Sequence, residues 1–411
     1  MSLYLDLNRD LTPAQVALKE QTHRFAEEVL RPASMELDKL SAQDVIKEDS
    51  ALWRVFRLAY EQGHHTSGFP EEFGGAGLGP LEQHIVAEEI GWGSADFAIG
   101  LGVTSMPFSF ALMSGNQDLI NEFVIPFIQD REAKYIGCWA ITEPEHGSDC
   151  VLFGTEQFHD PSITFDVKAV LDGDEWVING QKAAWVSNGT IATHALLFLT
   201  LDPSQGMAGS GVAIVPLNLP GVSKGPPLEK LGQRALNQGE IFFDDVRIPK
   251  HYMVVEPATF PPIIDIILAL ANAGMGTTFT GVARAAFEEA LKYCKQRVQG
   301  GKPIAEHQLV QKKLFDMFTK VETARAISRA ASIYNATALP PQAHYSVVSK
   351  VYCTEVAFEV ASDAIQLHGG YGLSKDMPVE KIFRDARASM IEDGCNEVLA
   401  LAAARLLVDR Y

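Results

Sequence analysis

Residues 391–397, IEDGCNE, hold the side chains best suited to chemistry, because two carboxylic acids, a glycine and a thiol fall between Glu392 and Asn396. Asp393 has two interpretations on this pattern alone. In one it caps the last helix by accepting backbone N–H bonds, with Asn396 at the third position. In the other it is a general base that takes a proton from a substrate. The residue types leave both open.

The elements that position this stretch form three blocks. From Thr12 to about Arg131 apolar residues recur every three or four positions, which is a helical period. Short β-rich runs follow, and ITFDVKAVLDGDEWVING carries a hairpin signal at Asp172–Gly173. After Pro261 helical periodicity returns in four segments long enough for an antiparallel bundle. We predict an α+β fold with an N-terminal all-α domain (1–134), a central β-barrel-like domain (135–250) and a C-terminal four-helix bundle (251–411).

Composition excludes several classes of partner. The chain has 411 residues, 47% of them apolar, and a formal net charge of −18. No run of Lys and Arg offsets the acid, so neither nucleic acid nor an anionic membrane surface is expected as a partner. The most apolar stretch, residues 263–276, contains Asp265 and is shorter than the roughly 20 residues that span a bilayer. It predicts a buried helix and no integral membrane segment.

The cysteines and the N-terminus indicate a reducing compartment. The five cysteines are scattered, and none lies in a C-x-x-C motif, so neither a disulfide framework nor a metal site is expected. The start, MSLYLDLNRDLTPAQ, lacks the basic and apolar regions of a signal peptide. We therefore expect a cytoplasmic protein.

Two motifs in the middle block are typical of a site for a flat ring. CWAITEPEHGSD (138–149) ends in a loop that offers backbone N–H groups and the hydroxyls of Thr142 and Ser148. In AAWVSNG, Trp185 and Ser187 are two positions apart, so on a strand both side chains face one side. A strand exit with a turn cap and a buried core tryptophan are the alternatives.

Two further motifs lie in the last block. QRVQGGKPIAEHQ places Arg297 and Lys302 around a glycine pair, which suits either a pyrophosphate clasp or a solvated helix end. In QLHGGYGLSKDMPVEKIFRDA (366–386) three glycines break a long helix before Pro378 starts another. The backbone there either approaches a ligand closely or packs against the protein. No G-x-G-x-x-G follows a strand, which disfavours a Rossmann site.

With these motifs the whole chain resembles the FAD-dependent acyl-CoA dehydrogenases. ITEPEHGSD stands in the place of that family's first signature and QLHGGYGLSKDMPVEKIFRDA in the place of the second. The resemblance implies FAD between the β domain and the C-terminal bundle, an acyl-CoA thioester on one face of the flavin, and a homotetramer of paired dimers. It also implies an electron-transferring flavoprotein, or a similar carrier, as oxidant.

The resemblance assigns contacts by position. Trp139, Ile141 and Thr142 would run along the flavin, with Thr142 near its reactive edge. Trp185 would stack on the ring, and Ser187, where the family commonly has Thr, would hydrogen-bond it. The other implied FAD contacts are Arg297 and Gln308, which would reach the FAD of the dimer mate, and Gln366, Gly369, Gly370, Cys395 and Glu397. The implied substrate contacts are Ser148 beside the CoA arm, Asp96, Asn272 and Gly394.

The chain departs from the family pattern at the base, which in most members is a Glu directly followed by Gly. Asp393 is one methylene shorter, so its carboxylate falls short by roughly 1 to 1.5 Å, and misplacement on that scale costs about a hundredfold in rate. Cys395 and Glu397 stand where Thr and Gln commonly touch the cofactor, and Asn272 stands where an Arg often lies near the base. These clustered changes predict an unusual acyl group.

Asp393 thus has three interpretations: a helix cap only, a shortened base for a ring or branched acyl group, or a bystander to a base elsewhere. Asp96 in WGSADFAIGLG is the best alternative base, because its helix would line the acyl pocket, although it too suits a helix cap. The resemblance extends to members that act on cyclohexane-type carboxyl-CoA esters, in which the base differs from the usual Glu.

We predict an FAD-dependent acyl-CoA dehydrogenase that removes the α-proton and transfers the β-hydride to flavin N5, giving an enoyl-CoA from an alicyclic or branched acyl-CoA. An apolar pocket would raise the pKa of the base, and hydrogen bonds to the thioester oxygen would acidify the α-proton. Two rivals share the fold. One is a flavin oxidase or monooxygenase-like member, and the other is a non-catalytic partner subunit that has lost its cofactor.

Overall fold

The computed structural model describes residues 3–152 and 155–410, and its first block is helical, as predicted. The helices of this block are α1 (Leu3–Leu7), α2 (Pro13–Phe25), α3 (Arg31–Leu37), α4 (Ala42–Val45), α5 (Ala51–Glu61), α6 (Pro80–Gly93), α7 (Ala95–Thr104), α8 (Met106–Met113), α9 (Gln117–Leu119) and α10 (Ile125–Gln129). Side-chain caps fix several starts. Thr12 and Gln15 form a reciprocal capping box on α2, and Ser94 accepts from the Phe97 N–H to begin α7.

The middle block is a mixed eight-stranded sheet, which confirms the predicted β domain. Its strands are β1 (Gly137–Ala140), β2 (Lys168–Asp172), β3 (Glu175–Ser187), β4 (His194–Thr200), β5 (Ser210–Pro216), β6 (Val222–Pro227), β7 (Gln238–Pro249) and β8 (Met253–Val255). The spatial order is β6-β7-β3-β2-β4-β5-β8, with β1 parallel to β4. The predicted hairpin is present, because Asp172 pairs with Glu175 around Gly173 at φ +66°.

The last block contains the four predicted long helices and one short helix. They are α11 (Phe260–Gln296), α12 (Gln308–Thr337), α13 (Ala343–His368), α14 (Pro378–Ala388) and α15 (Asn396–Arg410). A small hairpin, β9 (Val298–Gln299) and β10 (Lys302–Pro303), follows α11. The glycine-rich break is also as predicted, since α13 ends at His368 and Pro378 starts α14.

Two helical stretches, Ala95–Met113 and Phe260–Gln296, are long and apolar enough to cross a bilayer on length and composition alone. The second contains residues 263–276, so the predicted buried helix is the start of a much longer one. In the most apolar 18-residue window of each stretch, 56% and 72% of the residues respectively are buried. Both therefore resemble core helices of a folded protein.

Buried ion pairs join the helices of the first block to those of the last. Glu88 and Glu89 on α6 both bind Arg284 on α11, at 2.8 Å for Glu88 Oε1 and 2.9 Å for Glu89 Oε1. Arg325 on α12 binds Glu88 as well, at 3.0 Å. These charges are almost fully enclosed. Since an unpaired charge at such a site is strongly destabilising, the pairs couple α6 to the bundle.

Candidate active site

The loop between α14 and α15 holds Asp393 in an uncommon backbone conformation. φ is +52° at Asp393 and +93° at Gly394, so two successive residues are left-handed. A Cβ at position 394 would also lie 3.0 Å from the Leu399 side chain, so both the positive φ and this close contact favour glycine there. A non-glycine residue held in this region costs about 1 to 3 kcal/mol, and such residues cluster at functional sites.

Hydrogen bonds from two domains fix this loop. On the β-domain side, Ser148 Oγ accepts from the Cys395 N–H at 2.9 Å. On the bundle side, Lys350 Nζ donates to the Gly394 carbonyl and to Asn396 Oδ1, each at 2.8 Å. The loop therefore sits where the middle and last domains meet, and Ser148, predicted beside the CoA arm, touches it directly.

The capping interpretation of Asp393 finds no support in this geometry. α15 begins at Asn396, and its N–H bonds the Met390 carbonyl at 3.0 Å, while the Cys395 N–H is used by Ser148. Within residues 3–152 and 155–410 the Asp393 carboxyl accepts no hydrogen bond. Its side chain is exposed to open space instead.

Both carboxyl groups of the loop have raised pKa values. Burial raises the pKa of Asp393, and the charge of Lys350 opposes that rise. The side chain is nevertheless exposed in a single chain, so the surrounding protein crowds the carboxyl without covering it. Burial, and then the charge of Asp393, raises the pKa of Glu392 to about 8. Glu392 Oε2 has no partner among the described residues. Glu392 is thus a neutral acid at pH 7, and the environment of Asp393 favours proton uptake, as a general base requires.

The raised pKa of Glu392 predicts a pH-dependent stability difference for Glu392→Gln. The folded-state pKa, about 8, exceeds the ordinary 4.5, so the contribution of this group is full below pH 4.5 and is lost as the pH rises through 8. Gln does not titrate. The thermal midpoint of Glu392→Gln relative to the parent should therefore be higher at pH 8 than at pH 5. An unchanged difference between these pH values would contradict the raised pKa.

Asp96 is engaged in a buried ion pair. Ser94, rather than Asp96, caps α7, and the Asp96 carboxylate accepts from Lys381 Nζ at 2.8 Å and from the Ala235 N–H at 2.9 Å. Burial would raise the pKa of Asp96, but Lys381 outweighs it and holds the pKa below the ordinary value. Burial and the Asp96 charge raise the pKa of Asp385, which also binds Lys381, to about 7. The Asp96 carboxylate, with its lowered pKa, is therefore poorly suited to take a proton.

The two predicted ring-binding motifs come together at the end of β1. Trp185 is 58% exposed while the adjacent Val186 is buried, and Ser187 accepts from Gln238 Nε2 at 3.2 Å. The Thr142 carbonyl accepts from the Ala183 N–H at 2.9 Å, which places the first motif beside β3. Trp139 stacks on Phe198 with ring centroids 5.4 Å apart, and Ile141 is partly buried next to it. An exposed indole beside a hydroxyl and backbone groups suits a stacked flavin.

The glycine-rich break forms part of a cavity with a volume of about 500 Å³. Arg297, Gln366, Gly369 and Gly370 all line it. Gly369 has φ +62°, and a Cβ on either glycine would meet nothing within 4 Å, so the chain itself does not fill the space beside them. Gln308, at the start of α12, is exposed but not among the lining residues. The arginine and the open backbone fit a pyrophosphate-bearing group such as FAD.

The remaining predicted positions lie near the loop or on α11. Cys395 is partly buried in the loop, and Glu397 is exposed in the first turn of α15. Asn272 is fully buried on α11, where its Nδ2 donates to the Leu268 carbonyl and its Oδ1 has no partner in the described part of the chain. Asp265 lies seven residues earlier on the same helix face, and burial raises its pKa.

Sequence reasoning gave no role to Lys350, Lys381 or Asp385. Only the pair of Lys381 and Asp385 left a local signal, because a basic and an acidic residue four positions apart share one helix face. Lys350 lies 44 positions from Gly394, and no pattern in the sequence connects them.

Three domain models of one enzyme family match the chain in order. The models are "Acyl-CoA dehydrogenase, N-terminal domain" on residues 12–130, the middle domain on residues 138–246 and the C-terminal domain on residues 267–408. With the open indole and glycine cavity, these matches define a flavin-dependent oxidoreductase. The chain belongs to the acyl-CoA dehydrogenase family, which is FAD-dependent.

Individual relatives agree with this assignment. The chain is 31% identical over 403 residues to the mitochondrial short-chain specific acyl-CoA dehydrogenase of Rattus norvegicus, covering 98% of this chain and 92% of the relative. It is 30% identical to an acyl-CoA dehydrogenase of Bacillus subtilis, covering 98% of both. The butyryl-CoA dehydrogenase structure from Megasphaera elsdenii superposes with a TM-score of 0.85 at 28% identity, covering 97% of this chain and 99% of that one.

Proposed function

We propose that this enzyme desaturates an alicyclic or branched acyl-CoA and that Asp393 is the base that removes the α-proton. The observation that carries the proposal is the Asp393 carboxyl itself. It is held in a left-handed turn, accepts no hydrogen bond from the described residues, faces open space and has a pKa raised by burial. A carboxyl group that served only to cap α15 would accept backbone N–H bonds at the start of that helix.

The shorter base supports a bulkier acyl group. Relative to Glu, Asp393 leaves the volume of one methylene free in front of the carboxyl, and its oxygens retreat by roughly 1 to 1.5 Å. A straight acyl chain would leave this gap open, whereas a ring or branch at the α-carbon would fill it. Proton removal then depends on the substrate's own bulk to bring the α-carbon to the carboxylate.

Residues from two domains would hold FAD, which supplies the hydride acceptor when bound. Trp185 and Trp139 offer aromatic faces, and Ser187 and Thr142 offer polar groups at the ring edge. Arg297 would neutralise phosphate charge on the FAD of the dimer mate. Asp393 would hold the abstracted proton, and its loop, fixed by Ser148, sets the carboxyl at the junction of the domains.

A bleaching screen with the parent enzyme and Asp393→Glu tests the acyl preference. Anaerobic flavin reduction should be faster with cyclohexanecarboxyl-CoA or isobutyryl-CoA than with butyryl-CoA in the parent. Asp393→Glu should shift the ratio of rates towards butyryl-CoA by about tenfold or more, because the longer side chain closes the gap. If butyryl-CoA bleaches the parent fastest and the Glu variant leaves the ratio unchanged, the bulky acyl group is excluded.

We also infer a homotetramer that passes electrons to an electron-transferring flavoprotein or a similar carrier. Apolar side chains on the bundle support the assembly, since Leu309 is 86%, Phe315 62% and Leu401 69% exposed in a single chain. Mass photometry of the holoenzyme checks this, and a mass of one subunit would rule the assembly out.

A further inference from the structure

We propose that Lys350 is a positioning residue for the base: it clamps the Asp393–Gly394 turn and keeps a positive charge beside the Asp393 carboxyl. The inference rests on the proposed role of Asp393 and adds a second residue to the machinery. Lys350 does not hydrogen-bond the Asp393 carboxyl directly. It acts through the turn and through its charge.

The clamp consists of two bonds from one buried ammonium. Lys350 lies on α13 and is fully buried. Its Nζ donates to the Gly394 carbonyl at 2.8 Å and to Asn396 Oδ1 at 2.8 Å. Asn396 is held in turn by Thr354, whose Oγ1 accepts from Asn396 Nδ2 at 3.1 Å. Gly394 directly follows Asp393, and both have positive φ. The two bonds of Lys350 therefore fix the part of the loop that carries backbone strain.

The charges around the loop single out Lys350 as the cation that acts on Asp393. The groups that face Lys350 are Asp393, whose influence is the largest, and then Glu392, Cys395 and Glu397. On the β-domain side Lys230 faces Glu392, and its Nζ donates to the Leu236 carbonyl and to Gln238 Oε1. Burial thus raises the pKa of Asp393, and the charge of Lys350 lowers it.

A buried ammonium is costly, which argues for a use. Burial lowers the pKa of Lys350 to about 8, against the pull of Asp393. Asparagine and backbone acceptors need only a neutral donor, so a glutamine in its place would satisfy part of the clamp without the charge. What a glutamine does not supply is the electrostatic stabilisation of an ionised Asp393. Clamp and charge are therefore separable by substitution.

The test uses three FAD-loaded variants: Lys350→Gln removes the charge and keeps a donor, Lys350→Met removes both, and Lys350→Arg keeps the charge. Stopped-flow anaerobic flavin reduction, with the acyl-CoA that reduces the parent fastest, gives the pH profile of each. Without the positive charge the pKa of Asp393 rises, so the acidic limb of the profile should move to higher pH by about 1 unit or more in the Gln and Met variants. Lys350→Arg should return it towards the parent.

A second readout does not depend on turnover. The carboxyl absorption of Asp393, isolated as the infrared difference between each variant and the same variant with Asp393→Asn, should titrate at higher pH without the Lys350 charge. Lys19→Met is the matched control, because Lys19 is equally buried against Glu89 at 3.6 Å in the N-terminal domain. It should lower the thermal midpoint and leave both titrations in place.

The outcomes separate this inference from the proposed function. Folded Gln and Met variants whose acidic limb and infrared titration match the parent would overturn the role of Lys350. If the Met variant does not fold, the Gln and Arg pair decides. An Asp393→Asn enzyme that reduces its flavin at the parent rate would overturn the base assignment instead, whatever Lys350 does.

Discussion

Asp393→Asn is expected to slow anaerobic flavin reduction by every acyl-CoA by between about 100-fold and about 10,000-fold, the usual contribution of a general base. The amide has the size of the carboxyl but does not take up a proton at neutral pH. Because the Asp393 carboxyl accepts no hydrogen bond from the described residues, the substitution breaks no internal contact, and FAD content and thermal midpoint should stay close to those of the parent.

Two control variants make this result specific. Glu392→Gln changes the adjacent acid and should leave a far smaller kinetic defect, since Glu392 is already neutral at pH 7. Asp96→Asn alters the alternative base, whose carboxylate is paired with Lys381. If a folded, FAD-loaded Asp96→Asn enzyme loses turnover while Asp393→Asn keeps it, the base is Asp96.

Lys381→Met is expected to destabilise the protein by about 3 to 5 kcal/mol at neutral pH, because it leaves buried carboxyl groups without their cation. Asp96 is fully enclosed, and Asp385 is nearly so. The loss should fall towards the lower end of this range, since burial and the Asp96 charge raise the pKa of Asp385 to about 7 and allow it to take up a proton. Chemical denaturation at pH 7.5 measures the difference.

Acid should reduce the damage in this variant. Without Lys381, burial outweighs the Ala235 N–H and the Lys230 charge that still act on Asp96, so the folded-state pKa of Asp96 should rise above the unfolded value. The variant then loses stability as the pH rises beyond the unfolded value. The difference in unfolding free energy between the variant and the parent should therefore become smaller as the pH falls from 7.5 to 5. The matched control is the double variant Asp96→Asn with Lys381→Met. It removes the Asp96 charge that the single variant leaves unpaired, so it should recover part of the lost stability. An equal loss in both variants would show that the uncompensated Asp96 charge is not the cause of the destabilisation.

Local patterns were enough to establish the three blocks of this fold. Helical and β periods follow from steric rules that act within a few residues, so the hairpin at Gly173 and the helix break after His368 were visible in the sequence. The same period of two put Trp185 and Ser187 on one side of a strand. Residue identity at Asp393, one methylene shorter than expected, was visible as well.

The tertiary structure alone decided which of these residues share an environment. Asp96 meets Lys381 across 285 positions, and Lys350 meets Gly394 across 44, and neither contact leaves a trace in local spacing. Burial decides the charge states too, because the pKa of Glu392 depends on the protein around it. The sequence therefore determined the elements and the motifs, while long-range packing determined that Asp96 is paired and that Asp393 is open.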